Sequence, residues 1–129
     1  KNRKSEGVVL SQNRQGSPSR FGWVYLQGRM GYCMHAERSE GPVLSSTPCG
    51  DDEWDFIAVT RQSNGGVTHY LNGMQDGRGE RPSAFGAVNT AIGATLDGSS
   101  FFEGLIDEVM IFDRVLSDAE IKEIFKRVK

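Results

Sequence analysis

Cysteine and proline are scarce in this sequence, with two Cys and four Pro among 129 residues. Two cysteines permit at most one disulfide, which excludes a multiply bridged scaffold. There is no CxxC pair and no Cys/His cluster, so the usual zinc-site spacings are absent. No apolar run approaches the ~18 residues of a membrane-spanning helix. Lys1-Asn2-Arg3-Lys4 is followed only by Val8-Val9-Leu10, too short for a signal-peptide core, so any leader is expected to lie outside this sequence. A surplus of basic charge is missing as well. Fifteen basic residues against seventeen acidic give a net charge of −2, which argues against a general nucleic-acid binder. The basic ends, residues 1–4 and 126–129, read as solvated termini.

What is present points to one folded domain spanning residues 1–129. Leu, Ile, Val and Phe make up 30 of the 129 residues, above the roughly 20 % below which chains tend towards disorder. Sixteen glycines imply many tight turns, which favours strands over a helix bundle.

Alternation with period two runs through most of the chain. Residues 7–12 read as a short strand. In residues 21–27, Phe21, Trp23, Tyr25 and Gln27 share one face, with Val24 and Leu26 on the other. Residues 29–35 return as the next strand. Residues 54–60 are apolar on both faces, the pattern of a central strand covered on two sides. Residues 67–71 form a strand ending at Asn72-Gly73, a strong hairpin-turn dipeptide because both residues accept positive φ. Residues 75–84 are polar and Gly-rich and read as a surface loop. Residues 91–94 and 104–112 are the last strand candidates. A hairpin pairing 29–35 with 43–49 and centred on Gly41 would set Cys33 directly opposite Cys49, close enough for a disulfide, and a bridge would imply an oxidising compartment. A shift of the turn by one residue would separate the two, so free thiols are the alternative.

The period changes at the C-terminal end. Ser117 and Glu120 make a capping box, and Leu116 with Ile121 the accompanying hydrophobic staple. Ile121, Ile124, Phe125 and Val128 then fall on one face of a helix.

Several of these segments, in order, resemble a known family. They are Glu53-Trp54 with Ile57-Ala58-Val59-Thr60, Tyr70-Leu71-Asn72-Gly73, Ile92-Gly93, Phe102-Glu103-Gly104-Leu105-Ile106-Asp107-Glu108-Val109, and Phe112-Asp113-Arg114-Val115-Leu116-Ser117-Asp118-Ala119-Glu120-Ile121. Together they look like the laminin G-like group of concanavalin A-like lectins and glucanases, over roughly residues 7–125. The resemblance implies an all-β fold, a jelly-roll antiparallel β-sandwich, here with a short C-terminal α-helix. Family members usually carry several more strands before the segment equivalent to residues 7–12. An uncovered edge would invite a homo-oligomer or a strand-completing partner.

The resemblance raises three kinds of function. Glycan-cleaving relatives place acidic residues at alternating strand positions, whereas glycoside hydrolysis needs carboxylates ~5 Å or ~6.5–9.5 Å apart. Glu103 and Asp107 share a face but lie about 13 Å apart along a strand, and Asp107 and Glu108 point to opposite faces. Asp107, in a mostly apolar strand, is expected to anchor nearby backbone. His35 and His69 fall within strands without a nucleophile elbow, and Gly77-Arg78-Gly79 lacks the spacing of a phosphate loop. No catalytic residues are assigned, and no enzyme is expected. For binding, sugar sites set aromatic faces beside planar polar groups. Trp23, Tyr25 and Gln27, with Arg29 continuing the parity if the chain stays extended, are the candidate carbohydrate-binding residues. The alternative is that this face is a second core layer. Relatives often hold Ca2+ at the sandwich rim through oxygen ligands, and Asp51, Asp52, Glu53, Asp76 and Asp97 are the loop acids available for it. The expectation is a carbohydrate-binding or recognition module of a secreted, surface or periplasmic protein, taking a glycan or protein ligand. An adhesive protein-interaction module is the alternative.

Overall fold

The computed structural model describes residues 7–13, 20–26, 28–34, 43–49, 53–80 and 89–129. The elements in chain order are β1 (Gly7–Asn13), β2 (Arg20–Leu26), β3 (Arg29–Met34), β4 (Val43–Leu44), β5 (Ile57–Arg61), β6 (Gly66–Leu71), β7 (Met74–Glu80), β8 (Asn89–Ile92) and α1 (Asp118–Val128). They form two sheets, ordered β4-β3-β2-β1-β8 and β5-β6-β7. Every strand pair within them is antiparallel.

Two hydrophobic clusters lie on either side of the smaller sheet. Between the sheets, Val9 and Met30 are buried with Ile57, Phe102, Ile106 and Cys49 packed against them. Beyond the smaller sheet, Tyr70, Leu116 and Ile121 are buried with Phe56, Ala58 and Ile124. Successive residues of the segment entering β5 thus alternate between two apolar environments, which is why 54–60 reads as apolar on both faces. The molecule is layered as larger sheet, smaller sheet, helix. The helix follows its sequence signals. Ser117 accepts from Glu120 N, the Glu120 carboxylate accepts from Ser117 N at 2.8 Å, and Ile121 is 1 % exposed.

Two β-bulges position functional-type residues. In β1 the register with β2 slips between Val8 and Leu10, leaving Val9 as the extra residue, whose carbonyl accepts from Gly93 N. In β7, His69↔Gly77 is followed by Tyr70↔Gln75, so Asp76 is the extra residue. A bulge re-aims its side chain. The Asp76 carboxylate accepts from the Thr47 backbone N–H at 3.1 Å and from the Thr47 hydroxyl.

Four sequence expectations are corrected here. Residues 74–80 form strand β7 rather than a loop. Asn72 (φ 50°) and Gly73 (φ 79°) turn it back onto β6. Its glycines mark a backbone crossing: a Cβ at Gly77 would sit 2.7 Å from Leu44 O, and one at Gly79 2.7 Å from a Val43 methyl. β5 is an edge strand, not a central one, because β6 is its single neighbour among the described residues. Residues 104–112 form no strand. Glu108 has φ +51°, and no backbone–backbone hydrogen bond joins these residues to the described chain. Strand-type side chains cannot make a strand without a partner ladder. Finally, the hairpin centred on Gly41 is not the observed one. Gly31 pairs with Leu44 and Tyr32 with Val43, seven residues out of the register that would oppose Cys33 and Cys49. Cys49 instead donates its backbone N–H to Gly28 O and carries a free thiol.

Candidate functional site

A cleft of about 520 Å³ lies beside β5 among the described residues. Val9, Leu10, Gln12 and Gly22 contribute from the larger sheet, and residues 57–61 of β5 from the smaller one. Ile92, Ile106, residues 109–116, and Ile121 and Ile124 of α1 complete the wall. The lining is predominantly apolar. Its polar members are Gln12, Thr60, Arg61, Asp113 and Arg114. Arg114 is already engaged, in a 2.6 Å ion pair with Glu120, and that guanidinium holds the Glu120 carboxyl down at about 2. Several of its lining side chains are exposed apolar ones: Ile111 is 65 % exposed, and Val109, Met110, Phe112 and Val115 are exposed as well.

Of the sequence candidates for sugar binding, Arg29 is the one whose side chain can be placed. The hairpin turns at Gly28 (φ 78°), so Arg29 lies opposite Leu26 rather than continuing the face of Tyr25. Its guanidinium is committed to backbone, donating to Ser45 O at 3.1 Å and also to Ser46 O. Arg29 is therefore a bracket between β3 and the segment after β4. Positions 23 and 25 pair with Tyr32 and Met30. Met30 is 6 % exposed in the inter-sheet core. Gln27, Asp51, Asp52 and His35 lie outside the described residues.

The remaining loop acids serve local structure. Asp76 holds Thr47, as above. Asp97 accepts from the Thr95 and Ser99 hydroxyls and from Ser99 N within the turn at Gly98. Glu53 is exposed. Among the described residues no group of three His, Cys, Asp or Glu side chains is placed to hold a metal ion. Asp107, expected to anchor backbone, accepts from Glu108 N at 2.8 Å, beside the left-handed residue it supports. Glu103, Asp107 and Glu108 are all exposed on an irregular segment.

Sequence reasoning missed the inter-sheet bracket around His69. This residue, opposite Gly77 in β7, is 4 % exposed and hydrogen-bonds the Val43 backbone of the crossing strand. Its Nε2 is buried with no hydrogen-bond partner among the described residues. Burial pushes its pKa below the usual histidine value, against the opposing effects of that bond and of the Asp76 charge. The signal that could have found it was the Gly77-x-Gly79 pair, had it been read as a strand under a crossing backbone. Burial also lifts the Cys49 thiol to about 11, with the Asp55 charge adding to the effect. Such a thiol is no nucleophile near neutral pH.

Two antiparallel sheets stacked over a shared core, closed at one end by a short capped helix, define a β-sandwich of jelly-roll type. The family model described as the concanavalin A-like lectin/glucanases superfamily matches residues 2–122, and this chain belongs to that superfamily. No curated protein matches the chain. One solved structure, of an S-layer domain-containing protein from Clostridium thermocellum, is similar at 22% identity and a TM-score of 0.45. The match covers 94% of this chain and 63% of that one. Among the described residues no helix is long and apolar enough to cross a membrane.

Proposed function

We propose that this chain is a non-catalytic recognition module that engages a protein ligand along the open flank of β5. One observation carries the reading: Val109, Met110, Ile111, Phe112 and Val115 are exposed side chains lining the same cleft as β5, whose ladder among the described residues runs to β6 alone. Contiguous exposed apolar surface of this kind is characteristic of association sites. An aliphatic cleft with few polar groups suits a polypeptide better than a sugar, whose hydroxyls need convergent donors and acceptors. A secreted or surface setting belongs to the proposal on family grounds. No calcium is invoked.

Carbohydrate binding is the second reading, favoured by membership of a superfamily that includes lectins. A glycan-array screen of the wild type and Trp23→Ala, with and without calcium, separates the two. Assay of the same glycans for released reducing ends tests for catalysis. The reading advanced here expects no saturable glycan binding and no cleavage. Saturable binding abolished by Trp23→Ala would overturn it in favour of a lectin.

A further inference from the structure

We infer that His69 is an acid-sensitive latch between the two sheets: protonation of its imidazole draws the Asp76 carboxylate away from Thr47 and parts the β4 segment from β7.

The latch is built where β4 crosses β7. His69 lies in β6 between Val59 of β5 and Gly77 of β7. Gly77 and Gly79 have no side chains there, and Val43, Leu44 and Ser45 lie directly against them. The crossing segment roofs the imidazole, which is 4 % exposed and hydrogen-bonds the Val43 backbone. That bond favours the protonated ring, so the ring is its donor. Nε2 is buried with no hydrogen-bond partner among the described residues. In the neutral ring this leaves one lone pair unmet, a modest cost. In the imidazolium it leaves a charged N–H donor without an acceptor, a far larger one.

An acceptor for that proton stands close by but is already engaged. Asp76 is the extra residue of the bulge beside Gly77, and its charge acts on His69. Its carboxylate accepts from the Thr47 backbone N–H and hydroxyl, and its carbonyl from Ser46 N. A hydrogen bond between two charged groups is stronger than one from a neutral amide or hydroxyl. The carboxylate therefore changes partner once the ring is charged, and the ties at Val43 and Thr47 are lost together.

Other charges around the ring do not offer this exchange. Arg61, two residues beyond Val59 on the same face of β5, is a cation. So is Arg29 of β3, whose guanidinium is held by Ser45 O and Ser46 O. Val43, Leu44, Ser45, Ser46 and Thr47 carry no ionisable side chain. The Cys49 thiol is held neutral by burial. Tyr70 packs on the opposite face with α1.

The segment parts from β7 without leaving the larger sheet. β4 is two residues long and pairs with β3 through Gly31↔Leu44 and Tyr32↔Val43. Beyond it, Ser45 N donates to Met30 O and Cys49 N to Gly28 O. These bonds stay within one sheet, whereas those to Asp76 span the two. Burial opposes the charge in the closed state. Opening is therefore level above about pH 6.5 and rises below it, by up to about tenfold per pH unit for one proton taken up.

The test is amide hydrogen exchange resolved by residue, corrected for intrinsic rates, with the imidazole resonances followed over the same pH range. The latch predicts that protection at Ser46 and Thr47 falls by up to about tenfold per pH unit below about 6.5, while Ser45 and Cys49 keep theirs. The His69 ring titrates with the same midpoint. His69→Gln abolishes the slope, His35→Gln leaves it, and Asp76→Asn moves its onset to lower pH because the imidazolium loses its counter-charge. A slope that survives His69→Gln, or vanishes in His35→Gln, would overturn the latch. So would loss of protection at Ser45 and Cys49 in step with Ser46 and Thr47, or an onset unchanged in Asp76→Asn. The wild-type ring decides the matter even where His69→Gln fails to fold: titration with no change at Ser46 and Thr47 would overturn it.

Discussion

Two apolar stretches close together in the chain meet opposite fates. The face of α1 is buried, with Ile121 in the core against Tyr70 and Leu116. The stretch 105–115 is also strongly apolar, yet apart from Ile106, which packs against the inter-sheet core, its apolar side chains are exposed. The difference lies in how each satisfies its backbone. A helix closes its own hydrogen bonds and needs only a surface on which to lay one face. A strand needs a neighbour for its backbone as well as a surface for its side chains. Hydrophobicity therefore suffices to dock the helix, whereas the strand-type segment stays unformed beside an edge it does not reach.

The largest expected effect comes from breaking the buried member of the pair. Ile121→Ala should cost about 2–5 kcal/mol, the range for a core aliphatic truncation, read as a lower urea midpoint with unchanged slope. Next is the crossing of β4 over β7. Gly77→Val places atoms where Leu44 O already stands, and backbone cannot give way as a flexible side chain can. A loss of about 1–3 kcal/mol is expected, with exchange protection falling first at residues 43–45. Ser117→Ala removes the helix cap and should cost about 1 kcal/mol, visible as fraying at the start of α1. Ile111→Asp should change stability by less than about 0.5 kcal/mol, because that side chain is already in water. A large loss of stability there would mean that the segment is buried in solution by something other than association.

Acid sharpens the same comparison, since the buried bracket and the exposed cap titrate in different ranges. The His69 pKa is lowered by burial, so the unfolded chain takes up its proton first as pH falls below about 6.5. Stability should be level above that value and decline beneath it, and His69→Gln should flatten this part of the curve. Glu120 is held at about 2 by Arg114 and by Ser117. Its contribution is present above the ordinary 4.5 and is lost as pH falls from there towards 2. Thermal midpoints of wild type, His69→Gln and Glu120→Gln between pH 8 and 2 check both windows.

Much of this was legible in the sequence, for reasons specific to each element. The helix was, down to its cap, because Ser117 and Glu120 act on neighbouring backbone. The first three strands were legible because alternation is a local pattern. Strand β7 was not, since Gly77 and Gly79 answer to β4, a strand more than thirty residues away in sequence that crosses over them. The disulfide expectation failed on register, which pairing with β3 sets and no single segment reveals. The place of Arg29 in the sugar-site reading depended on the chain staying extended through Gly28. A left-handed glycine there sent Arg29 back along the next strand to bracket Ser45. The unformed state of residues 104–112 was the least legible, because whether strand-type residues become a strand depends on what lies beside them.

The most direct test of the central claim is hydrogen exchange at residues 105–112 set beside that of α1. A strand-type segment without a ladder predicts fast exchange at 105–112 and slow exchange in the body of the helix. Protection at 105–112 equal to that of the helix would contradict it.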